Sequence, residues 1–127
     1  MNNPQVSDIL AVVQTYLDGL YEGDTAKIRL AFHPASSLFA AIDNKLVNVP
    51  REDWCRMIES RPSPKANGQS REYDRILSVD ITGPNTAMVK VNCAITPRFF
   101  TDYLSLIKLD GRWQVINKTY TAEPLPA

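Results

Sequence analysis

Asp102 is the residue whose placement first asks for a chemical explanation. It stands near the head of TDYLSLIKLDGRWQVINKTY, residues 101–120, where a carboxylate sits in what otherwise reads as buried sheet. Strand alternation puts Asp102, Leu104 and Leu106 on one face and Tyr103, Ser105 and Ile107 on the other. An acid sharing a face with two leucines is a candidate for desolvation, and desolvated carboxyls in clefts recur as binding and proton-transfer groups. The plain alternative is a strand start at the solvent rim, or an ion pair with Arg98 or Lys118. Tyr16 is the second candidate. It falls on the apolar stripe Val6, Ile9, Leu10, Val13, Tyr16, Leu17, Leu20, Tyr21, so its ring belongs to a core while its hydroxyl needs a partner. Core packing and a pocket-facing hydroxyl are both open readings.

His33 is the only histidine. With no second histidine and no cysteine near it, a metal site is not expected. It either caps the end of a short helix, where its charge suits the dipole, or forms a dyad with Asp102 that spacing cannot reveal. Phe39, Trp54 and Tyr120 complete the candidate pocket residues, Trp54 as a surface for stacking a flat ligand. Cys55 and Cys93 match no metal or redox spacing. No Gly-rich phosphate loop, GxGxxG or GxSxG is present, so no cofactor is expected and no local spacing suggests a catalytic triad.

These groups must be positioned by the elements around them. The first stripe follows helical spacing from Asn3 as N-cap and Pro4 as first helical residue to Gly23. Asp24 caps a second helix over Thr25 to about Phe32, stopped by Pro34. Leu38 to Ile42 and Lys45 to Val49 read as a hairpin across Asp43-Asn44. Pro50 opens a third helix with Trp54, Met57 and Ile58 on one side. Residues 62–70 have no periodicity and read as a mobile loop, suited to a rim or lid. Four strands follow: Tyr73–Thr82, Thr86–Ile95, Phe99–Leu109 and Arg112–Thr121, the last two joined by Asp110-Gly111, a strong hairpin signal. Glu123 to Ala127, with two prolines, reads as a loose tail. The sum is α+β, with three helices from the N-terminal half packed on a curved, mostly antiparallel sheet.

The chain has 127 residues, a formal net charge of zero and a hydrophobic share of 44%, which points to a single domain spanning 1–127. Lys and Arg are scattered rather than clustered, so a nucleic-acid partner is not expected. No apolar run approaches the ~20 residues needed to cross a bilayer, and Met1-Asn-Asn-Pro-Gln lacks the features of a signal peptide. Membrane association is therefore not expected, and the simplest location is the cytoplasm.

The order αα-ββ-α-ββββ, with YLDGLYEGDTAKIRLAFHPAS (16–36) and TDYLSLIKLDGRWQVINK (101–118), resembles the NTF2-like superfamily, which includes the SnoaL and ketosteroid-isomerase-like proteins. Within it the chain is most similar to the group named for putative lumazine binding, which has a His-Pro after the second helix and a DYLSL…DGRW…NK ending. The resemblance implies a cone with a pocket between sheet and helices, an unidentified small apolar or aromatic ligand, and a homodimer through the outer sheet face. Laid on the steroid isomerase branch, the donor tyrosine falls on Tyr16 and the donor acid on Asp102, but the essential base falls on Ala40. The pattern thus argues against that isomerisation, and Asp43, three residues on, is a poor substitute. What remains is a pocket that polarises a bound carbonyl through Tyr16, Asp102 and His33, or a non-catalytic dimeric binding module.

Overall fold

The computed structural model describes residues 4–125. Three helices and six strands alternate as α1 (Pro4–Glu22), α2 (Thr25–Ala31), β1 (Phe32–Ile42), β2 (Lys45–Pro50), α3 (Arg51–Glu59), β3 (Arg75–Thr82), β4 (Thr86–Ile95), β5 (Arg98–Leu109) and β6 (Arg112–Pro124). The expected cap at Asn3 lies outside the described residues. Gly23, at φ +70°, ends α1 in the left-handed region that glycine enters without steric cost. The Asp24 carboxylate then accepts from the Ala26 and Lys27 N–H groups and starts α2. Both tight hairpins use positive φ at two successive residues, Asp43-Asn44 and Asp110-Gly111, the geometry that matches strand twist.

The strands form one sheet in the order β2-β1-β6-β5-β4-β3. Every neighbouring pair is antiparallel except β1 and β6, which run parallel and join the first hairpin to the four-stranded meander. The sheet curves around the helices without closing, giving an α+β cone. Ile9, Val13, Tyr16 and Leu17 of α1 bury against Val89, Val91, Leu104, Leu106 and Val115 of the sheet.

Three expectations change. β1 begins at Phe32, not Leu38, because Phe32 pairs with Val115 of β6. Pro34 is tolerated there because the ladder is irregular between Phe32 and Ser37, where its missing N–H leaves no bond unmade. Glu123 and Pro124 belong to β6, where they pair with Phe99 and Arg98; only Pro126 and Ala127 of the expected tail lie outside the described residues. The loop after α3 is tied down rather than free. Gln69 donates to the Ala94 carbonyl and accepts from the Thr96 N–H and hydroxyl, the Tyr21 hydroxyl donates to the Gln69 carbonyl, and Arg71 bridges Asp18 and Asp74.

Candidate functional site

Three polar side chains meet in the core where α1 crosses the inner face of the sheet. The Tyr16 hydroxyl donates to Asp102 Oδ2 at 2.5 Å. Lys118 Nζ donates to the Tyr16 hydroxyl at 2.8 Å and stands 3.7 Å from the same carboxylate oxygen. Tyr16 and Asp102 are 0% exposed and Lys118 is 5% exposed. The result is a relay, lysine to tyrosine to aspartate, in which a buried cation and a buried anion offset one another through one hydroxyl. Buried polar groups are tolerated when they are paired in this way. Asp102 Oδ1 has no hydrogen-bond partner among the described residues, so within them the carboxylate is committed through one oxygen only.

Sheet register explains why these residues converge. On the inner face Val91, Asp102 and Tyr120 lie side by side across β4, β5 and β6, and Leu104 and Lys118 are paired one step along. Lys118 and Asp102 are therefore diagonal neighbours, within reach of a long side chain. A regular pleat continuing from the buried Trp113 and Val115 would bring Asn117 and Thr119 inside and turn Lys118 to solvent. Instead Ser105 pairs with Asn117 and Leu106 with Val115, so Ile116 is the extra residue of a bulge. The bulge resets the alternation and sends Lys118 and Tyr120 inward.

Aromatic rings surround the ammonium. Lys118 Nζ lies 4.7 Å from the Trp54 ring centre, 5.0 Å from Tyr16 and 5.2 Å from Tyr120, within the range of cation–π attraction. Tyr16, Phe32 and Trp54 pack edge to face or tilted, with centroids 5.0–6.0 Å apart. Burial, followed by the neighbouring Asp102 charge, pushes the Tyr16 hydroxyl well above its ordinary pKa, so it remains a donor. Burial likewise raises Tyr120, again with help from Asp102. The Cys93 thiol beside this group is pushed up to about 12, mainly by burial, and so is not a thiolate nucleophile near neutrality.

Lys118 is the member of the relay that reaches open space. It lines a cavity of about 450 Å³ together with Leu20, Leu38, Trp54, Cys93, Phe100 and Tyr120. The mouth is formed by Arg61, Pro62 and Asn67 after α3 and by Ile95 to Arg98 at the β4–β5 turn. An ammonium has three donors. One is spent on Tyr16, leaving the group able to bind an acceptor from the cavity side.

Of the residues singled out in the sequence, Trp54 and Tyr120 line this cavity, and Tyr16 and Asp102 lie behind its wall as the support of Lys118. Trp54 packs against the Lys118 ammonium and is itself nearly buried. His33 and Phe39 are elsewhere. The His33 ring accepts from the Ala35 N–H through Nδ1, a local turn contact two residues past the end of α2, so it neither caps that helix nor meets Asp102. Phe39 follows the buried Leu38 on β1 and points to the outer face, opposite Thr119. Ala40 lies buried on the inner face, and Asp43 is exposed at the hairpin tip. Among the described residues no three His, Cys, Asp or Glu side chains cluster as a metal site would require. Lys118, which lines the cavity, enters the sequence reading only as an ion-pair partner for Asp102. Its one signal was the break in alternation between Val115 and Lys118.

The family model described as "Putative lumazine-binding" matches residues 4–121, and the chain belongs to that family. A curated relative, the aldolase FrzH of Cladobotryum, is 22% identical over 118 residues, covering 91% of this chain and 90% of its own. Solved structures of NTF2-like proteins of unknown function are similar across nearly the whole fold. That from Shewanella baltica has a TM-score of 0.82 at 26% identity, covering 96% of both chains. That from Methylobacillus flagellatus has a TM-score of 0.80 at 27% identity, covering 97% of this chain and 95% of its own.

Proposed function

We propose that this chain binds a small apolar or aromatic molecule in the cavity and polarises a carbonyl oxygen of that ligand through the Lys118 ammonium. The observation that carries the reading is the Lys118–Tyr16–Asp102 relay, whose only cavity-facing member is a cation held in place by a hydroxyl and a carboxylate. A donor fixed before the ligand arrives, and largely withdrawn from bulk water, needs no reorganisation to stabilise negative charge growing on oxygen. Among the described residues no carboxylate lines the cavity to serve as a base, which favours activation of an electrophile or holding of an enolate over proton abstraction. The relative named an aldolase is compatible with this, since aldol chemistry without a Schiff base passes through an enolate oxygen.

Benzophenone and diphenylmethane differ only in the carbonyl and make the test direct. The ketone should bind more tightly, by about tenfold for one charge-assisted hydrogen bond, and Lys118→Met should erase the difference. Equal binding of the two by the unaltered protein would sink the reading. Lumazine, a flat ring system with two carbonyls, is the further probe suggested by the family's description, and its binding should also depend on Lys118. Acetaldehyde with borohydride should leave Lys118 unmodified by mass spectrometry; a reduced adduct on that residue would make it a nucleophile instead of a donor.

A second reading, a dimeric binding module without catalysis, draws on the outer sheet face. Met88 and Tyr103 are 42% and 48% exposed there, beside Phe39 and Ile107. Light scattering should then give twice the chain mass, falling to the monomer in Tyr103→Lys. A monomer at all concentrations would remove it.

A further inference from the structure

Among the described residues, the charged ones lining the cavity are Arg61, Arg98 and Lys118, with no Asp or Glu. Lys118 has its counter-ion in Asp102. The two arginines do not: among the described residues neither makes an ion pair or a side-chain hydrogen bond. Each of them is brought to the mouth by a different element, Arg61 by the residues just past α3 and Arg98 by the first position of β5. They lie near enough to feel one another. Desolvation, then the charge of Arg98, holds the Arg61 guanidinium below its usual range. Arg98 also lies within electrostatic reach of Tyr120, whose ring is part of the cavity wall. Two unneutralised guanidiniums at one opening repel each other, and a bound anion removes that repulsion. Their planar donor forks match the paired oxygens of a carboxylate, and those of a phosphate as well.

Taking the carbonyl-binding reading as its basis, we infer that the ligand is an apolar oxo-carboxylic acid, its carboxylate held at the mouth by Arg61 and Arg98 and its carbonyl oxygen at the floor by Lys118. The waist between these ends is apolar, with Leu20, Leu38, Val49, Ile95 and Phe100 on its walls. That suits an aromatic or alicyclic body rather than a sugar or a peptide. The mouth thus selects the charge of the ligand and the floor selects its oxygen.

The test uses 4-benzoylbenzoate and its methyl ester, which share the aromatic ketone and differ in charge, titrated into the intact protein by calorimetry. The acid should bind at least tenfold more tightly than the ester, and that advantage should shrink as salt is raised. Arg61→Gln and Arg98→Gln should each weaken the acid severalfold and leave the ester unchanged. Lys118→Met should weaken both. If acid and ester bind equally while Lys118→Met still weakens both, the anion inference fails and the carbonyl reading stands. If neither probe binds, both fall together. If 4-benzoylphenyl phosphate binds and the benzoate does not, the head group is a phosphate and the carboxylate assignment is wrong. Irradiation of the bound benzophenone should label cavity residues; labelling confined to the outer sheet face would also overturn the inference.

Discussion

The floor and the mouth of the cavity each present a cation, and the fold treats them in opposite ways. Lys118 at the floor is 5% exposed, bonded to Tyr16, close to Asp102 and ringed by Trp54, Tyr16 and Tyr120. Arg61 and Arg98 at the mouth are exposed and have no acidic partner among the described residues. A nearly buried charge must be compensated largely by the protein itself, since little water reaches it; an exposed one can wait for a ligand. The floor should therefore report in stability as well as in binding, and the mouth in binding alone.

The sharpest way to break that contrast is at Asp102. Asp102→Ala leaves Lys118 buried without a counter-ion and should cost about 3–5 kcal/mol in urea unfolding. Pairing Asp102→Leu with Lys118→Met should recover most of the loss while still abolishing the ketone preference, because it removes both charges together. A cost below about 0.5 kcal/mol for Asp102→Ala would mean the relay does not hold the floor.

Alkaline pH probes the same region without mutation. The Cys93 thiol is raised from an ordinary 9.0 to about 12, and the Tyr16 hydroxyl is raised well above its ordinary value of 10.0. Both folded-state pKa values lie above the unfolded ones. Their stabilising contribution is thus complete below about pH 9 and is lost as pH climbs through 9 toward 12 and beyond. Melting temperatures should fall over that window, and Cys93→Val should flatten the fall. An unchanged slope in the variant would show that the thiol is not held by burial.

A smaller effect is expected for Tyr16→Phe. It removes the hydroxyl that links Lys118 to Asp102 but keeps the ring and both charges, for a loss of about 1–3 kcal/mol. The least effect on stability belongs to Arg61→Gln and Arg98→Gln, within about 0.5 kcal/mol of the unaltered protein by urea unfolding. A larger loss would make the mouth arginines structural and would erase the distinction between the two regions.

Much of this architecture was legible without coordinates. The α1 stripe, the Asp24 cap and the two positive-φ hairpins are local signals, because periodicity and turn chemistry act over a few residues. The facing of Asp102, Leu104 and Leu106 also followed from alternation, since β5 is regular there. His33 and Phe39 lie away from the cavity, the first for a local reason and the second through strand facing. A turn contact to Ala35 takes the imidazole, and β1 extends back to Phe32 with Leu38, not Phe39, facing in.

The chain by itself determined its elements, its α+β class and the shared facing of Asp102, Leu104 and Leu106, all consequences of short-range pattern. Only the tertiary structure decided that Lys118 is the group facing the cavity. Tyr16 and Asp102 are 86 residues apart and Tyr16 and Lys118 are 102 apart, so no spacing rule relates them. The bulge at Ile116 that turns Lys118 inward exists only through the pairing of β6 with β5. A side chain's facing beyond a bulge is set by the register of its neighbour, and register is a property of the assembled sheet.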